Sequence, residues 1–216
     1  FFVISGYLIT TIIIEDLEKN RFRLIDFYER RSRRILPALF FVMLTFIPVS
    51  WMWMLPDPLE NFGQSVVAAT LSANNILLYL TAGYWDLASE FKPLLHTWSL
   101  GIEEQYYIIF PITLLLIYKF FKKYIFHSFV LILVISLALA HFESLNNPSI
   151  SFYFLHTRLW ELMFGSILAY FEIEKNFKSK NLILNFFLTI IGLILIIYSM
   201  FFLIMILCIL QFIHWF

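Results

Sequence analysis

Charge is scarce in this chain: Asp, Glu, Lys and Arg make up 14% of its 216 residues, against about 25% in a soluble domain. Acidic and basic residues balance at 15 each, so no net field attracts nucleic acid. Cysteine occurs once, at Cys208, which excludes an internal disulfide and leaves a small residue inside an apolar run. The five histidines are scattered and lack an H-E-x-x-H spacing, so no metal centre is expected. No G-x-S-x-G elbow, phosphate-binding glycine loop or dinucleotide fingerprint is present. No internal repeat, low-complexity tract or second soluble domain is visible.

What the chain has is grease. Hydrophobic residues account for 61% and aromatics for 20%, too much for a chain of this length to cover in water, so lipid must be the solvent. Apolar runs occupy 1–14, 35–55, 97–118, 124–140, 152–171 and 182–203, with the tail to 216 starting another. A crossing needs roughly 20 such residues, so the expected fold is all-α, a polytopic bundle of transmembrane helices. The chain opens and closes inside apolar runs and is read as a fragment, truncated at both ends.

Orientation follows from the basic residues. Lys19, Arg21, Arg23, Arg30, Arg31, Arg33 and Arg34 form one basic loop; Lys119, Lys122 and Lys123 a second; Lys175, Lys178 and Lys180 a third. All three are expected on the cytoplasmic side, and the nearly uncharged-by-cation stretches 56–95 and 141–151 on the other. The chain must then cross an even number of times between the first two loops, yet three apolar candidates lie there. The middle one, 62–80, holds Gln64, Ser65, Ser72, Asn74 and Asn75. It is read as re-entrant, interfacial or buried among helices, because polar segments at membrane depth need protein or a cavity around them. Trp51, Trp53 and Trp85 read as an interfacial aromatic belt.

Three clusters carry chemistry. In PLLHTWSLGIEEQYYIIFP (93–111), seven positions bring a helix nearly back to its starting angle, so His96, Glu103 and Tyr107 share a stripe flanked by Ser99. Ionisable groups inside a membrane helix are functional candidates, against the plainer reading that Glu103 and Glu104 merely cap or pair at the interface. In FYERRSRRILP (27–37), Arg30, Arg33 and Arg34 fall on one face at i, i+3 and i+4, suited to a phosphorylated ligand or, equally, to anchoring against anionic lipid. In His156-Thr157-Arg158-Leu159-Trp160-Glu161, followed by Gly165, Arg158 and Glu161 can pair, either to orient a substrate or to lock two helices. Ser5-Gly6 permits close packing and offers a hydroxyl. His127 and His141 stand alone in apolar surroundings and read as incidental.

FFVISGYLIT (1–10), FYERRSRRILP, PLLHTWSLGIEEQYYIIFP and RLWELMFGSILA (158–169), in that order, resemble the bacterial membrane acyltransferase family 3, through about residue 171. The resemblance implies that 1–216 is a membrane-embedded acyltransferase domain, holding about six to eight helices of a bundle of about ten. It implies O-acylation, most often O-acetylation, of extracytoplasmic glycans such as lipopolysaccharide O-antigen, peptidoglycan or exopolysaccharide, in the bacterial inner membrane. Acetyl-CoA is then the donor substrate, with no permanently bound cofactor, and Arg30, Arg31, Arg33 and Arg34 the partners of its phosphates. His96, Glu103 and Glu104 are carried over as catalytic motif residues; Trp98, Ser99, Tyr107, Arg158, Glu161, Ser5 and Gly6 as acceptor-binding or structural ones. The family's proposed catalytic histidine would precede Phe1, so residues 1–216 alone are expected to be inactive. The blocks also resemble the subgroup that continues into an SGNH-type domain. The rival class is a transporter or flippase of lipid-linked sugars, whose buried charges would line a transport path; paired helix breaks in two halves would mark it, and none is evident. A structural or sensory subunit is the third reading, one with little use for so many ionisable residues in its spans.

Overall fold

The computed structural model describes residues 1–81, 92–174 and 182–214, and among these every regular element is helical, with no strand. Two units form separately, Phe1–Glu174 and Lys175–Phe216. The first holds α1 (Phe2–Glu18), α2 (Leu24–Trp53), α3 (Pro56–Thr70), α4 (Asn74–Leu80), α5 (Thr97–Phe121), α6 (Ile125–Asn146), α7 (Pro148–Tyr153) and α8 (Leu155–Glu174). The second is α9 (Leu182–His214), one helix of 33 residues. It runs past Leu203 unbroken, so the separate helix expected in the tail is the continuation of this one. Trp85, Lys175, Lys178 and Lys180, used above for orientation, lie outside the described residues.

Among the described residues, three stretches are long and apolar enough to cross a membrane: Leu24–Trp53, Thr97–Asn146 and Asn185–Phe202. The second contains both α5 and α6, separated by a short 3-10 turn over Lys122–Tyr124. By comparison α1 is 17 residues long, and α8 carries Arg158, Glu161, Glu172 and Glu174 along its 20. The arginine segment expected as a loop is instead the first turns of α2, which begins at Leu24. Pro37 and Pro48 sit inside this helix; each removes a backbone N–H, a loss membrane helices tolerate when neighbours satisfy the freed carbonyls.

Helix directions follow from which residues meet. Phe2 packs on Trp98 and Ser5 bonds Glu103, so α1 and α5 run the same way. Tyr28 donates to the Ile108 carbonyl, Arg31 lies over Tyr107 and Leu39 packs near Leu100, so α2 runs opposite to α5. Phe126 meets Phe171 while Ser136 meets Trp160, so α6 and α8 are antiparallel. The acidic C-terminal end of α1 and the basic C-terminal end of α5 therefore meet the arginine-bearing start of α2 at one end of the bundle.

Antiparallel α2 and α5 dispose of the parity problem. The chain leaves α2 at Trp53 and re-enters at Thr97 on the same face of the bundle, so 54–96 makes no net crossing. Within it α3 packs back along α2, Ala69 against Leu39 and Met43. A turn at 71–73 follows, with Ser72 in the left-handed region at φ 57°, a conformation costing about 1–3 kcal/mol for a residue with a side chain. α4 then returns, its Asn74 bonded to the Leu94 carbonyl at 3.1 Å and its Asn75 to the Tyr153 carbonyl at 3.0 Å. Of the three readings open for the polar segment, the chain path fits both a re-entrant segment and one buried among helices. It turns back on itself with Asn74 and Asn75 buried against protein, and Asn74 Oδ1 is left without a hydrogen-bond partner among the described residues.

In lipid the hydrophobic effect does not hold helices together; close van der Waals packing and interhelical hydrogen bonds do. The tightest crossing is between α1 and α8. A methyl group at Gly6 would collide with the backbone of Leu162, and one at Gly165 with the backbone of Val3 and Tyr7. Around it Ile9, Ile13, Ile102, Tyr106, Leu114, Phe129, Leu162 and Met163 form the buried core.

Candidate functional site

Glu103 and Glu104 are neighbours on α5, about 100° apart around its axis, and they look into different spaces. Glu103, 4% exposed, faces α1 and α2. The Ser5 hydroxyl donates to its carboxylate. Tyr107, one turn further on, shares that face, and the Arg31 guanidinium lies 4.9 Å from the centre of its ring. Ser5, Arg31, Arg34, Thr97, Glu103 and Tyr107 supply the polar lining of a cavity of about 520 Å³, whose remaining wall is apolar.

Glu104 points the other way and accepts from the Ser72 hydroxyl at the tip of the re-entrant turn. A smaller cleft of about 160 Å³ lies there, lined by Tyr28, Ser32, Ser72 and Glu104. Arg31, Ile35 and Tyr107 line both spaces and so stand as the partition between them. Gln105 fastens the turn in place, donating to the Ser72 carbonyl at 3.0 Å and to Asn75 Oδ1 at 2.9 Å.

The arginines divide differently from the periodicity reading. The arginines that line the cavity are Arg31, partly buried, and Arg34, exposed at its edge, rather than Arg30, Arg33 and Arg34. Arg30 pairs with Asp16 at 3.2 Å and Arg33 with Glu29 at 2.6 Å, both at exposed positions. His96 lies in the turn before α5, exposed, and lines neither polar cavity. Its carbonyl accepts from Ser99 Oγ at 3.2 Å. The stripe thus unites Glu103 and Tyr107 but does not bring His96 to them.

Arg158 and Glu161 pair with each other at 2.9 Å, each about a quarter exposed. The Arg158 guanidinium lies 5.2 Å from the Phe152 ring, which packs 4.4 Å from Trp98. A cation–aromatic–indole chain therefore links α8 to the start of α5, apart from the Glu103 cavity. Two structural partnerships escape sequence reasoning. Tyr106 and Ser166 share a buried 3.1 Å hydrogen bond, and Ser136 spans from the His156 carbonyl (2.6 Å) to the Trp160 N–H (2.9 Å). Ser166, next to Gly165 in an apolar run, was the available signal. Among the described residues, no three His, Cys, Asp or Glu side chains gather as metal ligands.

An apolar helical bundle that gathers a buried carboxylate and phenol with a half-buried serine and guanidinium around one cavity defines a membrane protein with an internal polar site. The sequence profile described as an acyltransferase domain matches residues 1–216, and the chain belongs to that family, acyltransferase family 3. A Haemophilus influenzae protein named only as uncharacterized is 37% identical over 204 residues, covering 91% of this chain and 83% of its own length. The Staphylococcus aureus O-acetyltransferase OatA is 31% identical over 191 residues, 83% of this chain and 31% of that protein. The Listeria monocytogenes peptidoglycan O-acetyltransferase OatA is 34% identical over 179 residues, 79% of this chain and 28% of that protein. The chain thus spans about a third of the length of the named relatives. No solved structure matches it.

Proposed function

We propose that this acyltransferase moves an acetyl group from acetyl-CoA, on the cytoplasmic side of the bacterial inner membrane, to a hydroxyl of a glycan outside. The observation that carries this is the cavity in which Glu103 meets Arg31, Arg34 and Ser5. Guanidinium groups bind phosphate in a bidentate fashion, and Arg34 with Arg31 stands between the basic end of the bundle and the carboxylate. These two are the best partners for the donor's phosphates, with Arg30 and Arg33 adding positive potential at the entrance. Glu103 acts as general base, and Glu104 with Ser72 orients the acceptor hydroxyl. His96, Trp98, Ser99 and the Arg158–Glu161 pair form the outer approach for the sugar. The name of the Listeria monocytogenes relative favours peptidoglycan as the acceptor over lipopolysaccharide or exopolysaccharide. A multi-pass topology with the basic ends inside supports delivery of the donor from the cytoplasm.

The test is acetyl transfer by the full-length protein in proteoliposomes, with labelled acetyl-CoA on the basic side and glycan on the other. Glu103→Gln is expected to lower transfer by about 10²–10⁴-fold, the range for loss of a general base. Undiminished transfer removes Glu103 from the mechanism. Glycan movement without consumption of acetyl-CoA would establish the transporter reading instead.

A further inference from the structure

Coenzyme A carries phosphates that cannot enter a bilayer, and the proposed acceptor lies on the far side from it. The acetyl group must therefore part from its carrier partway, and a covalent stop inside the membrane solves that problem. We infer that Ser5 is this stop: its hydroxyl takes the acetyl group from the donor as a serine ester and hands it to the acceptor. The inference rests on the acetyl-transfer reading above and deepens it.

Hydroxyls on apolar helices usually bond back to the carbonyl of the preceding turn. Thr11, Thr45, Thr113 and Ser166 all do so here, to Tyr7, Phe41, Ile109 and Leu162. Ser5 instead reaches across to α5 and donates to the Glu103 carboxylate, the pairing of nucleophile and base that activates a hydroxyl. The other hydroxyls lining that cavity are less suited. Thr97 donates to the Leu94 carbonyl at 2.8 Å and accepts from Asn74, and Tyr107 offers a phenol. Gly6, the next residue, locks α1 against the backbone of α8, so the serine stands on a fixed helix. Arg31 and Tyr107 line the same space and can donate to an oxyanion forming beside Ser5.

In the first half, Glu103 accepts the Ser5 proton as Oγ bonds to the thioester carbonyl carbon. The C–S bond breaks, and the departing thiolate takes that proton, leaving as free thiol. In the second half, the glycan hydroxyl attacks the serine ester while Glu103 accepts its proton. The C–Oγ bond breaks, and Ser5 regains a proton from Glu103. Protons balance over the cycle, and no oxidant or reductant takes part.

The full-length wild-type protein is incubated with isotope-labelled acetyl-CoA without acceptor, digested and sequenced by mass spectrometry. The expected result is acetyl on the peptide containing Ser5, discharged when glycan is added, with parallel-line, double-displacement kinetics. Ser5→Ala should lose both label and transfer, and Ser5→Cys should give a thioester that neutral hydroxylamine removes. Label on another residue, transfer at the wild-type rate by Ser5→Ala, or transfer with sequential kinetics and no label would overturn the Ser5 ester while leaving acetyl transfer standing. A wild-type protein that neither consumes acetyl-CoA nor acetylates glycan overturns both. Because the labelling is read on the wild type, it decides the matter even if Ser5→Ala fails to fold.

Discussion

Replacing Gly165 by alanine is the sharpest test of how the bundle is held together. The added methyl would lie 2.7 Å from the Tyr7 nitrogen and closer still to the Val3 carbonyl, against 3.4 Å for ordinary contact. The obstacles are backbone atoms, which cannot rotate away; the Tyr7 contact alone asks α1 and α8 to part by about 0.7 Å, and the Val3 carbonyl asks for more. A gap of 0.5–1 Å forfeits about a quarter to a half of each van der Waals well, and overpacking of a close-fitted core costs about 1–3 kcal/mol. Gly6→Ala, which meets the Leu162 backbone, should cost a similar amount. The double variant should cost clearly less than the two together, since one separation of the helices accommodates both methyls. Gly63→Ala is the control: nothing lies within 4 Å of its added methyl, and the change should be neutral or stabilising by about 0.5–1 kcal/mol through helix propensity. The assay is reversible unfolding of the purified protein in detergent micelles. Gly165→Ala with wild-type stability, or full additivity in the double variant, would refute the close crossing.

Three more outcomes can be checked alongside. Ser136→Ala should destabilise by about 1–3 kcal/mol, because it strips a bridge between the His156 carbonyl and the Trp160 N–H at a buried position; the same micelle assay reads it. Arg33→Ala should change stability by no more than about 0.5 kcal/mol, since its pair with Glu29 is exposed. Arg31→Ala, in contrast, should impair acetyl-CoA binding measured by displacement. With Cys208 replaced by serine, cysteines at Asp57 and Leu95 should react with an impermeant maleimide from one side of the membrane, and a cysteine at Lys123 from the other. Labelling of Asp57→Cys and Leu95→Cys from opposite sides would break the re-entrant assignment.

The spans are legible in the sequence because a long apolar run in lipid has one solution, a helix that satisfies its own backbone. Which face of each helix turns inward is not. α6 and α9 are apolar all round, so periodicity says nothing about their neighbours. The arginine segment shows why spacing alone misleads: Arg30, Arg33 and Arg34 do share a face, but Asp16 from α1 and Glu29 one turn back on α2 itself occupy two of them. Only the neighbouring α5, with Tyr107, turns Arg31 into the inward residue. Likewise Ser5 reads as a packing residue beside Gly6 until α5 is set beside it and Glu103 appears 98 positions away. The stripe through His96 failed to close because His96 is the cap residue of α5, two turns before Glu103, where its side chain is exposed beyond the cavity wall.

The hairpin of α3 and α4 goes in and comes back by the same door, and this frees its length. Every spanning helix is bound to its neighbours by a count of odd and even: delete α6 alone and α8 would be inverted, carrying Arg158 and Glu161 to the opposite compartment. The stretch from Met54 to His96 carries no such obligation. Relatives could lengthen it, shorten it or rebuild its rim for a bulkier glycan, and every loop downstream would still open on the side it does now.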